Sequence, residues 1–252
     1  MHDVCKIYNR KRIYFCLFFF AFVSFASLCS AQDTTKKTTQ QLWPEVDLFY
    51  KLNQKFRLFA LVSGTRLNKS YYSEGAFAIH LDYFAFPRMR KINPDVEGDS
   101  ARGYYLWIRA GYYYSNTTPS AENQVTENTI QTEVNTRFYP GWNSMITFRN
   151  RLDWRILNGE LKPRYRPRLR WEREFSTDYL QFSAFVDGEY FVNFGAFDTD
   201  RFRCSIGGDL KVSHMIIFET YYLHQFPNGT KVSPLDAIAV ILKFYLPQQR
   251  KR

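Results

Sequence analysis

The sequence predicts an all-β fold: an antiparallel up-and-down transmembrane β-barrel of about twelve strands, or about ten as the alternative, around a polar, charged lumen. Three observations lead there. Past residue 31, apolar residues recur with period two and nowhere at the spacing of an amphipathic helix. Aromatic residues make up 19% of the chain, far more than a disordered chain carries. Mean hydropathy is nonetheless negative, which excludes a bundle of membrane-spanning helices and leaves strands as the means of membrane insertion. With 12 glycines, a collagen-like repeat is also excluded.

The N-terminus reads as an export signal. Lys6, Arg10, Lys11 and Arg12 precede an apolar run over residues 13–28, and Cys29-Ser30-Ala31 offers small residues where a signal peptidase reads. We expect a signal peptide over residues 1–31, cleaved after Ala31. The run falls short of the ~20 residues of a helical span. Leu28 stands where a lipoprotein signal takes a small residue, so the anchored and lipidated alternatives are weaker. Cleavage removes Cys5, Cys16 and Cys29 and leaves Cys204 alone, so the mature chain has no internal disulfide in a compartment that permits one. Four bases and one acid also leave, which lowers the formal charge from +10 to +7. Residues 32–41 read as a polar, disordered leader, residues 42–246 as the barrel domain, and residues 247–252 as a basic tail.

The strands follow in order. Alternation runs over residues 45–52, 56–67, 73–86, 104–115 and 125–138. In 146–156, Ile146, Phe148, Leu152, Trp154 and Ile156 oppose Thr147, Arg149, Arg151, Asp153 and Arg155, with Asn150 off pattern. Segment 162–175 is the extreme case: Lys162, Arg164, Arg166, Arg168, Arg170, Glu172 and Glu174 share one face, and Tyr165, Leu169, Trp171 and Phe175 the other. In 179–192, Leu180, Phe182, Ala184 and Val186 oppose Gln181, Ser183, Asp187 and Glu189. In 201–212, Phe202, Cys204 and Ile206 oppose Arg201, Arg203, Ser205 and Asp209. Runs at 215–226 and 235–246 complete eleven candidates. Turn chemistry separates many of them, as at Asn53-Gln54, Pro140-Gly141, Asn158-Gly159 and Ser213-His214.

A soluble barrel would put the apolar rows inside, and a membrane barrel puts them outside. Arg-dense, mixed-sign rows opposite bulky aromatic rows favour the second. So do aromatic clusters near strand ends, such as Trp43, Tyr50, Phe84, Tyr112, Trp142, Tyr221 and Phe244, which match two interfacial girdles. Closure also removes the edge strands of so long a meander. Eleven strands put the two termini at opposite ends. An even-numbered ring therefore asks for a further strand, in the leader or in residues 87–102.

The order of segments resembles a known family. Trp43 and Glu45 open the first strand, which leads into Tyr50-Lys51-Leu52-Asn53-Gln54-Lys55. Later come Arg164-Tyr165-Arg166-Pro167-Arg168-Leu169-Arg170, Glu189-Tyr190-Phe191-Val192, Asp200-Arg201-Phe202-Arg203, Leu210-Lys211-Val212-Ser213-His214 and a strand with Tyr221, Tyr222 and Leu223. This resembles the exported β-barrel family of unknown function catalogued as domain of unknown function 2490, found in Gram-negative bacteria of the Bacteroidetes type. The resemblance implies an outer-membrane barrel and supplies no catalytic residues. Two features depart from it: the long segment 87–102, and a chain that runs past its last strand instead of ending on an aromatic. The expected partners are outer-membrane lipid, the outer-membrane assembly machinery and small anionic solutes.

Candidate chemistry concentrates in the lumen. Arg149, Arg151, Asp153, Arg155, Arg164, Arg166, Arg168, Arg170, Asp187, Glu189 and Arg203 form a charge cluster on inward rows. It reads either as a salt-bridged plug or as a narrow, porin-like constriction for anions. His80 and Asp82, on one face with Glu74, are weak catalytic candidates for a hydrolase acting on lipid or surface polymer. His224, on an outward row near a loop with Ser233, is a second such candidate. A soluble periplasmic ligand-binding barrel is the remaining alternative. Cys204 reads as a small lipid-facing hydrophobe. No metal or cofactor is expected, since phosphate-binding, dinucleotide and metal-ligand motifs are lacking. No nucleic acid is expected, since the bases alternate with aromatics instead of forming a stripe.

Overall fold

A computed structural model describes residues 38–67, 72–87, 103–117, 124–177, 180–194, 198–228 and 233–246. The signal peptide, most of the leader, the segment 88–102 and the basic tail lie outside the described residues. Among the described residues twelve strands are present: β1 (Thr39–Lys51), β2 (Phe56–Leu67), β3 (Tyr72–Pro87), β4 (Tyr104–Thr117), β5 (Thr126–Gly141), β6 (Ser144–Leu157), β7 (Glu160–Leu161), β8 (Arg164–Ser176), β9 (Gln181–Asn193), β10 (Asp198–Lys211), β11 (Ile216–Pro227) and β12 (Leu235–Leu246). Eleven of them close a barrel, and the two-residue β7 stands outside the ring on β6. The eleven ring strands are the eleven alternating segments of the sequence. Strand β1 begins at Thr39, three residues inside the segment read as leader.

The ring closes with an odd number of strands. Neighbours pair antiparallel throughout except at the seam, where β1 and β12 run parallel from Thr39↔Leu235 to Tyr50↔Leu246. An even count is needed only if every pair is antiparallel, so no further strand is required. Lys162-Pro163 interrupts the strand between β7 and β8, because proline offers no N–H to the ladder. The pairs Ile156↔Leu161 and Asp153↔Arg164 nevertheless keep one register across the break.

Two hairpins show their turn chemistry. Asn158 and Gly159 have φ of 49° and 90°, the left-handed pair of a two-residue type I′ turn. The β5–β6 turn lies later than Pro140-Gly141. Trp142 and Asn143, both at φ 53°, form its tip after a register shift between Phe138 and Gly141. Trp142 is thereby 83% exposed.

Alternation places the charged rows inside. Asp82, Asp153, Glu133 and Glu189 are buried, while Val62, Ile79, Ile130, Leu169 and Val186 are exposed on the outer surface. The interior is two-sided. Around the seam an apolar and aromatic cluster, where Phe49 stacks between Phe59 and Tyr245 at 4.7 Å from each with Ile217 beside them, lies next to the buried charges Asp47 and Glu219 and to Lys243. From β3 round to β10 the interior is charged.

Candidate functional site in the barrel lumen

Cross-strand register builds the site. One row runs Arg57↔Asp82↔Arg109↔Glu133↔Arg151 across β2 to β6, alternating in sign at every step. Opposed residues on neighbouring strands approach within ~4.5–5.5 Å, so alternation lets every charge meet an opposite one. Asp82 is the clearest case. Arg57 donates to it at 2.9 and 2.8 Å, Arg109 at 2.6 and 3.1 Å, and the Trp107 indole at 3.2 Å.

The alternation fails between β6 and β8. Arg151 faces Arg166, and Arg149 faces Arg168. Like charges directly opposed repel, and acids from neighbouring positions bridge them. Glu189 accepts from Arg149 at 2.5 Å and from Arg166 at 2.9 and 3.1 Å. Asp153, fully buried, accepts from Arg151 at 2.7 Å and Arg164 at 3.0 Å. Asp187 accepts from Arg168 at 2.7 Å, Arg170 at 3.1 Å and the Ser205 hydroxyl at 2.5 Å. Arg155 is held by Glu127 at 3.1 and 3.0 Å. The eleven residues read from the sequence as a lumen cluster all face inward, and ten of them fall into three groups: Arg149, Arg151, Arg164 and Arg166 on Asp153 and Glu189, Arg168 and Arg170 on Asp187, and Arg155 on Glu127.

Aromatic rings carry part of the cationic load. The Arg170 guanidinium lies 3.8 Å from the Phe185 ring, and Arg109 lies 4.0 Å from Phe59. Phe191 receives both Arg166 and Arg203 at 4.6 Å. Such desolvated contacts stabilise by about 2 kcal/mol each. Arg203 also donates to Gln225 at 2.8 Å.

A cavity of about 650 Å³ opens among these side chains. Eleven arginines and Lys243 line it against ten carboxylates, so its wall carries a cationic excess among the described residues. Arg164 Nε is buried there with no hydrogen-bond partner among the described residues. On the far side Lys243 bridges Asp209 and Glu219, and Asp47 stands opposite it. Arg57, Arg109, Glu133 and Lys243 are site residues that the sequence reading did not single out. The alternation of their strands could have found the first three.

The proposed His80–Asp82–Glu74 grouping is not assembled. His80 is buried, with Nε2 2.8 Å from Gln131 Oε1 and its ring stacked on Phe59 at 5.4 Å. Asp82 is taken up by Arg57 and Arg109. Glu74 lies six residues up the same strand, roughly 20 Å away at the rise of a β-strand. Gly111 opposite His80 makes room for the imidazole, since a Cβ there would sit 2.5 Å from the ring. His224 points outward, its Nδ1 2.7 Å from Asp236, and Ser233 is exposed. His214 is exposed in its turn.

Comparison with known proteins adds a family. A model described as a protein of unknown function, DUF2490, matches residues 40–234, which cover all but the last strand of the barrel. No curated protein and no solved structure matches the chain.

Proposed function

We propose, taking as premise that the chain belongs to the DUF2490 family, that it is an integral outer-membrane β-barrel whose basic lumen forms a narrow passage for small anionic solutes. One observation carries the solute class: sign alternation fails across β6 and β8, so arginines face arginines on the wall of the cavity. Arg-lined constrictions favour anions because the wall supplies N–H donors and positive potential in place of hydration. The close pairing of these arginines with Asp153, Asp187 and Glu189 limits the passage to small solutes.

The outer surface supports the membrane placement. Among the described side chains of the outward rows, charge occurs at Arg66, Arg173 and Asp236, each near a strand end. Between them the outward rows carry no charge and are mostly apolar, with Asn128, Thr132, Thr136 and Asn150 as polar exceptions. Outward aromatics pair near one end, at Phe56–Tyr83 and Phe175–Phe182, and near the other, at Phe77–Tyr114 and Tyr190–Phe202. Two such belts at the ends of an apolar band fit a bilayer. Export by a signal peptide cleaved after Ala31 and insertion by the outer-membrane assembly machinery belong to the same reading.

Planar-bilayer recording under a salt gradient tests the passage. The expected result is a small conductance whose reversal potential shows anion preference, and Arg168→Gln should weaken that preference. An inserted barrel that conducts nothing, or that prefers cations, overturns the proposal.

A further inference from the structure

On the opposite surface of the wall, the outward rows of β10, β11 and β12 bring three reactive groups into one line. Cys204 is the direct cross-strand partner of His224, and His224 is the direct partner of Asp236. Their outward direction follows from their neighbours: Ser205, Leu223, Gln225, Leu235 and Ala237 are all buried on the inner side. His224 Nδ1 is 2.7 Å from Asp236 Oδ1, and the Tyr222 hydroxyl donates to the same oxygen at 2.6 Å. With Nδ1–H held by the carboxylate, Nε2 is the nitrogen left to act as a base. Cys204 is a free thiol, one strand away. Its partner on the other side is Gly188, whose face is covered by the Phe202 ring.

We propose that Cys204, His224 and Asp236 form a nucleophilic triad that acts on ester-linked acyl chains of membrane lipid. Nucleophile, base and orienting carboxylate stand in the order that acyl transfer requires. The lipid assignment rests on the membrane placement proposed above. It follows from the outward position of the triad, with Asp236 two residues into β12 and His224 three residues before the end of β11, where an apolar band meets strand ends, and Cys204 deeper along the band in β10. Phe202 and Ile206 flank the thiol along β10, and Phe226 packs edge-on against His224 at 4.4 Å. An ester carbonyl lies at the same boundary between acyl chain and headgroup. A carboxylate on an outward row is costly in lipid unless something holds it, and here His224 and Tyr222 do.

In the first step Cys204 Sγ bonds to the ester carbonyl carbon while His224 Nε2 accepts the thiol proton. The tetrahedral adduct then breaks its C–O bond, and the imidazolium returns that proton to the departing alkoxide. The acyl group is left as a thioester on Cys204. Water, deprotonated by His224, cleaves the thioester, releasing fatty acid and restoring the thiol.

The full chain, folded in detergent micelles, is incubated with p-nitrophenyl palmitate. Expected are p-nitrophenol release and a palmitoyl adduct on the peptide carrying Cys204. Cys204→Ala should abolish both. His224→Gln should slow acylation by at least about 100-fold. Asp236→Asn should slow it comparably, with partial rescue by Asp236→Glu, which a merely structural carboxylate would not give. His214→Ala should change nothing. A chain that folds by heat-modifiable gel mobility yet releases no p-nitrophenol overturns the triad, as does an adduct that forms equally fast in His224→Gln. Failure of the folded chain to enter lipid vesicles would overturn the membrane reading instead, and p-nitrophenyl acetate would then still test the chemistry at Cys204.

Discussion

Single residues decide how the interior holds together, and Asp82 bears most on it. It accepts from two arginines and an indole, and its side chain is fully buried. Asp82→Ala leaves the guanidinium groups of Arg57 and Arg109 buried with their shared anion gone, and breaking a buried pair from one side costs about 3–5 kcal/mol. We expect urea unfolding of the detergent-folded barrel, followed by heat-modifiable mobility, to show a loss of that size. Asp82→Asn should cost less, because the amide oxygen still accepts. The same residue shows how far a sequence can be read. His80 and Asp82 lie two apart on one face, which suggests a couple, yet the partners of each come from other strands, β2 and β4 for Asp82 and β5, one strand beyond, for His80. Register supplies Arg57 and Arg109 to Asp82, and Gln131 to His80, and nothing local to residues 73–86 encodes it. Asn150 is the converse. It breaks the apolar row in the sequence, and the structure places it outward, where the Tyr165 hydroxyl satisfies its amide oxygen.

At the scale of elements, strands were legible wherever their two rows differ in character. Strand β8, with arginines on one side and Leu169, Trp171 and Phe175 on the other, can be read almost residue by residue. Strand β12 cannot be sided this way: its inner row holds Leu235, Ala237, Ala239 and Ile241 and its outer row Ile238, Val240 and Leu242, apolar on both faces. That is why the apolar cluster of the interior beside the seam, around Phe49, was not foreseen while the charged rows were. Turns are legible where glycine and asparagine supply left-handed conformations. The Asn158-Gly159 turn is such a case, and it yields a prediction. Gly159 sits at φ 90°, and a β-branched residue there is strained by about 1–2 kcal/mol. Gly159→Val should lower the unfolding midpoint accordingly, whereas Gly75→Ala, with no atom within 4 Å of the added Cβ, should leave it nearly unchanged.

The molecule as a whole poses a question that neither residues nor strands answer: what surrounds the outer surface. A ring of alternating strands is compatible with water or with lipid outside, and the parallel seam that makes eleven strands sufficient does not discriminate. The distribution of charge over the outward rows supports the proposed lipid contact, and substitution on those rows tests it. Ile79 sits near the middle of β3, on the outer surface, with 53% of its area exposed. In a soluble barrel an exposed isoleucine replaced by arginine changes stability by within about 0.5 kcal/mol, as surface substitutions usually do. In a bilayer the same change places a guanidinium at the depth of the acyl chains and costs about 2–4 kcal/mol. Ile79→Arg, compared with the unmodified chain by equilibrium folding into phospholipid vesicles, should therefore lose about 2–4 kcal/mol. Arg66, already charged on an outward row at the end of β2, gives the control: Arg66→Ile should change little. The contrast depends on depth along the barrel and not on the residue type alone. A flat response at both positions would place the apolar band in water and remove the lipid from this reading, while a steep response confined to Ile79 is what an apolar wall facing acyl chains requires.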